Sequence, residues 1–113
     1  MHEAGIMAQA LEMAFDAARR EGARRIVAMK LRIGALSGVV PEALAFAFDV
    51  STRGTMAEGA RLEWDLVPVV CACPNGCADF EPAALVYECP ECGAFSARVL
   101  RGRELDLLEL EVV

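Results

Sequence analysis

All five cysteines of this chain fall within 22 residues, 71–92, and no other feature limits its fold as strongly. They are written Cys71-Ala72-Cys73-Pro74-Asn75-Gly76-Cys77 and, after a short polar stretch, Cys89-Pro90-Glu91-Cys92-Gly93. Two close cysteine pairs joined by a loop make a pair of knuckles, because each turn presents two thiolates to one tetrahedral ion. The second pair is the cleaner of the two. Pro90 restricts its turn, and Gly93 relaxes the backbone just beyond Cys92, so both sulfurs point inward. The competing reading is a set of buried structural thiols or a redox pair, which lacks a Cys-x-x-Cys at a helix start. A rubredoxin-like iron site is a third reading, separable from zinc by its colour.

A chain of 113 residues is expected to form one domain, or one domain with an appendage. No apolar run approaches the length of a membrane span and the N-terminus has no basic-then-apolar leader, so a cytoplasmic protein that does not engage a membrane is expected. Eleven Lys and Arg against 17 Asp and Glu leave a formal charge of -6, which argues against nucleic acid as a partner. An odd number of cysteines in a reducing compartment fits a metal plus one spare thiol better than disulfides.

From residue 4 to residue 20, Met7, Ala10, Leu11, Ala14 and Ala18 recur at helical spacing, with Gly22 as a stop. Residues 24–33 alternate as a strand, with Val27, Met29, Leu31 and Ile33 facing inward. The glycines that follow make a loop without a phosphate-binding pattern. Pro41 opens a second helix that places Leu44, Ala47 and Phe48 on one face and ends near residues 52–54. Residues 61–67 read as a strand with Leu62, Trp64 and Leu66 inward. Residues 98–100 form a short strand, and 104–112 a longer one. In the last strand the apolar alternation slips between Leu107 and Leu108, which one β-bulge explains. Its acidic residues Glu104, Asp106, Glu109 and Glu111 are read as a solvated face.

This order predicts an α+β fold, two helices packed on a small β-sheet, with an inserted zinc-ribbon-like lobe. The expected division is 1–69 plus 98–113 for the α+β domain and 70–97 for the lobe.

The N-terminus, Met1-His2-Glu3, contains the single histidine. A free α-amine, an adjacent amide able to lose its proton and an imidazole form fused chelate rings, nitrogen-rich square-planar surroundings that suit Ni(II) or Cu(II). The competing reading is a frayed end.

Taken in order, the Met-His-Glu start, the run from Leu31 through Gly34, Ser37, Gly38 and Pro41 to Leu44, the segment Glu58-Gly59-Ala60-Arg61-Leu62-Glu63, and the Cys89-Pro90-Glu91-Cys92-Gly93 knuckle followed by Gly102-Arg103-Glu104-Leu105 resemble the HypA/HybF family of hydrogenase maturation proteins. The resemblance spans essentially the whole chain. It implies a nickel metallochaperone and not an enzyme. Its Ni(II) cargo would be held at Met1, His2 and Glu3 through the terminal amine, the His2 imidazole and the backbone nitrogens of His2 and Glu3. It implies delivery to the large subunit of nickel-iron hydrogenase with the HypB GTPase as partner, urease maturation being served by some members, and a homodimer within scope.

The same resemblance implies a structural Zn(II) held by two Cys-x-x-Cys pairs. The second is intact as Cys89 and Cys92. The first is one residue longer, and counting from Pro68 assigns it to Cys73 and Cys77. Cys71 is then the spare, and a substitute ligand should exchange occur. The alternative to metal transfer is a small zinc-ribbon adaptor for which the N-terminal tripeptide is incidental.

Overall fold

The computed structural model of the chain describes residues 2–84 and 86–113. In chain order its elements are α1 (Glu3–Arg20), β1 (Ile26–Gly34), α2 (Pro41–Ser51), β2 (Arg61–Val67), β3 (Val70–Cys71), β4 (Val99–Arg101) and β5 (Leu105–Val112). A mixed sheet of order β2-β1-β5 pairs β1 parallel to β2 and antiparallel to β5. A second, two-stranded sheet pairs β3 with β4.

Helix α1 buries Met7, Leu11, Ala14 and Ala18, a stripe with steps of four, three and four that keeps one face on the core. It stops at Glu21 because Gly22 takes a positive φ of 69°, which lets the amides of Gly22 and Ala23 return to the carbonyls of Arg19 and Ala18. Helix α2 starts on Pro41, whose missing N–H costs nothing there, and buries Leu44, Ala47 and Phe48. These residues meet Met29, Leu31 and Ile33 of β1 in one core, flanked by half-buried Trp64, Leu105, Leu107, Leu110 and Val112.

The slip in the last strand is a bulge. The register runs Lys30 to Glu109 and then Leu31 to Leu107, so Leu108 has no partner opposite and turns toward solvent, while Leu107 and Leu110 both reach the core. A second irregularity corrects the inward phase of β1. Ile26 pairs with Val112 and Ala28 with Glu111, so Ile26 is buried where the alternation put Val27. In β2 the alternation stops early. Leu66 is 63% exposed, because β2 is an edge strand and the helical layer covers it only as far as Trp64.

Strand β4 is the other departure. Grouped by sequence with residues 98–113 of the α+β domain, it pairs with β3 and so contributes to the inserted lobe's sheet; β5 alone returns to β1. The lobe has a small core of Cys71, Phe80 and Cys89 with Val69, Tyr87 and Val99 packed against it. Its projection from the sheet gives the chain a radius of gyration of 17.6 Å, against about 13 Å for a compact domain of this length.

Where the chain crosses between the two parts, the end of β1 clamps both crossings. Ala35 N–H donates to the Val67 carbonyl at 2.9 Å, Leu36 N–H to the Gly102 carbonyl at 2.7 Å, and Gly34 N–H to the Glu104 carbonyl at 2.7 Å. Gly34 permits this approach, since a β-carbon there would fall on the Gly102 carbonyl.

Candidate metal centre

The two knuckles place four sulfurs together: the Sγ atoms of Cys73, Cys77, Cys89 and Cys92 all lie within 4.8 Å of one another. Zinc–sulfur bonds of about 2.3 Å in a tetrahedron put sulfurs about 3.8 Å apart, so this spacing fits a single ion with four thiolates. The edge from Cys73 to Cys92, which joins the two knuckles, is 3.5 Å. Cys89 is buried, Cys73 and Cys77 are half-buried, and Cys92 is exposed.

The backbone explains the convergence. Each knuckle closes as a turn, with Gly93 N–H donating to the Cys89 carbonyl at 2.9 Å and Gly76 N–H to the Cys73 carbonyl at 3.3 Å. Cys89 N–H bonds the Ala94 carbonyl at 2.9 Å, which returns the chain beside its starting point. Both turns use a glycine at positive φ, Gly76 at 83° and Gly93 at 76°. The extra residue of the first knuckle is absorbed in its turn, and its sulfurs still reach the second pair.

Cys71 lies elsewhere. It is fully buried in the lobe core and joined to Phe80 by two backbone hydrogen bonds, its N–H donating at 2.8 Å and its carbonyl accepting at 3.0 Å. Its sulfur is outside the four-sulfur group. Only Ala72 separates it from Cys73, but β3 ends at Cys71, whose backbone is pinned to Phe80, while Cys73 lies beyond the strand in the turn of the first knuckle.

The thiols perturb one another through hydrogen bonds. The Cys92 thiol is pulled down to about 6, first by the backbone N–H of Ala94 and then by the Asn75 carboxamide and Cys73. The Cys77 thiol is pushed up, mainly by hydrogen bonding to Cys73 and Cys92. Four sulfurs this close cannot all ionise alone, and a divalent cation removes that repulsion.

At the other end of the chain, Met1 lies outside the described residues. His2 is the exposed N-cap of α1, and its carbonyl accepts from Ile6 N–H at 3.1 Å. Because the helix starts at Glu3, the amides of its first turn have no intrahelical acceptor. The Glu3 carboxylate accepts from Val40 N–H, at the N-cap of α2, at 3.2 Å. This bond holds its carboxyl below the ordinary carboxylate range. Among the described residues, His2 belongs to no group of three or more metal-ligating side chains, so a metal there would need main-chain nitrogen.

Two contributors were missed from sequence: Asn75, which touches two of the four sulfurs, and Val40, which anchors Glu3. The Asn-Gly pair does signal a turn, but nothing local shows that its side chain faces the other knuckle.

Residues 1–112 match the family described as hydrogenase/urease nickel incorporation, metallochaperone, HypA. The chain is 48% identical over 113 residues to the hydrogenase maturation factor HypA of Picosynechococcus, with all of both chains covered. It is 50% identical over 113 residues to the protein of the same name from Geobacter sulfurreducens, with 99% of each covered. Among solved structures, the solution structure of the Ni metallochaperone HypA from Helicobacter pylori aligns with a TM-score of 0.69 at 23% identity, covering 100% of this chain and 98% of that one. A second HypA solution structure aligns at 0.74 and 24%, covering 100% and 97%. These two likenesses concern the fold.

Proposed function

We propose, for a chain that belongs to the HypA family of hydrogenase maturation metallochaperones, that it carries Ni(II) at its N-terminus and hands it to the large subunit of a nickel-iron hydrogenase. One observation supports the reading: the chain carries two donor sets of contrasting character. Four thiolates converge on one point and fill a tetrahedral shell, leaving no position for exchange. The start of α1 offers an exposed imidazole and first-turn amides free of helical partners.

In this reading Cys73, Cys77, Cys89 and Cys92 hold Zn(II), whose chemistry there is structural cross-linking of a lobe with a very small apolar core. Cys71 serves that core. Nickel is cargo, bound by the amine of Met1, the imidazole of His2 and the backbone nitrogens of His2 and Glu3. Deprotonated amides supply negative charge that offsets the cation where the helix dipole would oppose it. The Glu3 carboxylate, engaged by Val40 N–H, orients the segment. Protons compete for every one of these nitrogens, so acidification releases the ion. The HypB GTPase and the hydrogenase large subunit are the proposed partners, with urease maturation and self-association within the same scheme, in the cytoplasm. Among the described residues no helix is long and apolar enough to cross a membrane.

The test is nickel titration of protein with a native N-terminus, beside His2→Ala and a form extended before Met1, all zinc-loaded. The native protein is expected to bind one equivalent and the other two to lose it. Equal stoichiometric binding by all three would overturn the N-terminal site.

A further inference from the structure

The first knuckle has three residues between its sulfurs where the second has two. At the apex of the longer turn, Asn75 makes two contacts with the cage. Its own N–H donates to Cys73 Sγ at 3.3 Å, and its carboxamide Nδ2 donates to Cys92 Sγ at 3.5 Å. One residue thus touches a sulfur from each pair, across the 3.5 Å edge that joins the two knuckles. A thiolate offers only lone pairs, so the carboxamide must face it through nitrogen. Cys92 is the exposed residue of the four, and so the ligand that chelators, protons and oxidants approach most readily.

We propose that Asn75 is a positioning residue of the sulfur site, a clasp that holds Cys92 Sγ in the shell and withdraws charge from it. The extra residue of the first knuckle is then what carries a donor across to the second. This rests on the reading that the four sulfurs hold a metal. Metal loss begins when one sulfur leaves the shell, and the sulfur with the easiest exit is the one that Asn75 tethers. Removing an outer partner of a metal ligand commonly weakens binding by about 10- to 100-fold. Asn75 is solvent-exposed, which puts the expected effect near the lower end of that range.

The test uses the full chain loaded with Co(II), whose sulfur-to-metal charge-transfer band reports on the thiolates and whose visible bands report tetrahedral geometry. Asn75→Ala removes the carboxamide, Asn75→Asp keeps its shape without the donor, and Asn75→Gln restores a donor. Release to a chromogenic chelator is expected to be about tenfold faster in Asn75→Ala and at least as fast in Asn75→Asp. In both, the charge-transfer band should move to lower energy while the tetrahedral bands and one-to-one stoichiometry persist. Asn75→Gln should return release to within about threefold of wild type. Wild-type release and an unshifted band in Asn75→Ala and Asn75→Asp overturn the proposal. So does faster release in Asn75→Ala with an unshifted band and wild-type behaviour in Asn75→Asp, since that pattern marks a packing role. Failure of the wild type to give a four-thiolate Co(II) spectrum overturns the metal-site reading beneath it, which makes the two failures distinct.

Discussion

Replacing Gly34 by alanine tests the joint between the α+β domain and the lobe. The new β-carbon would sit 2.6 Å from Arg103 N and closer still to the Gly102 carbonyl, where ordinary contact begins at 3.4 Å. The three nearest atoms are all backbone, so the crossing must open by at least about 0.8 Å. That displacement takes the 2.7 Å bonds from Gly34 N–H to Glu104 and from Leu36 N–H to Gly102 to about 3.5 Å, beyond a useful hydrogen bond. Two lost bonds cost about 1–3 kcal/mol, and overpacking adds about 1–3 kcal/mol. A total of about 2–6 kcal/mol is a large share of the 5–15 kcal/mol that holds a domain of this size, and corresponds to a melting point lower by about 8–25 °C. The assay is urea unfolding of metal-saturated protein followed by the fluorescence of Trp64, the single tryptophan, which packs against the α+β core. Gly5→Ala is the control: it lies in the first turn of α1 with nothing within 4 Å, and should be neutral or stabilising by up to about 1 kcal/mol. A Gly34→Ala protein within about 0.5 kcal/mol of wild type would refute the clamp.

Cys77→Ser is expected to lose the lobe's metal by elemental analysis, whereas Cys71→Ser keeps one equivalent and loses only stability, by about 1–2 kcal/mol in thermal melts, because it places a hydroxyl in a buried core. Chelation should broaden or collapse the NMR signals of Phe80, Tyr87 and Val99 while those of Met29, Leu31 and Phe48 keep their dispersion, since the lobe's core is too small to persist without its cross-link. Glu104 accepts from Gly102 N–H at 2.8 Å, and its own N–H and that of Gly102 hold its carboxyl below the ordinary value. Its contribution is therefore present above the unfolded carboxyl's pKa, near 4.5, and is lost as pH falls through the lower folded value. Glu104→Gln should flatten that part of the acid-stability curve, and an unchanged slope below pH 4.5 would count against the bond.

Much of this protein was legible in its sequence because the relevant physics is local. The steps from Met7 to Ala18 define the buried stripe of α1, Pro41 and Gly22 punctuate the helices, and the slip between Leu107 and Leu108 announces a bulge before any partner strand is known. The cysteine spacings announce a four-sulfur cluster able to hold a metal, since turn geometry alone brings each pair together. Other features depend on residues far apart in the chain meeting in space. Which of Cys71, Cys73 and Cys77 stand in or out of the sulfur group depends on β3 pinning Cys71 to Phe80, and β3 exists only because residues 99–101 return beside it. Exposure of Leu66 reflects where the helices happen to end over an edge strand. The contacts of Asn75 with Cys92 and of Glu3 with Val40 span 17 and 37 residues, and pairings at that distance carry no periodic signature. The sequence determines which donors the chain possesses and how each turn presents them; tertiary packing decides which of them share a site, because only the folded chain sets the distances between turns.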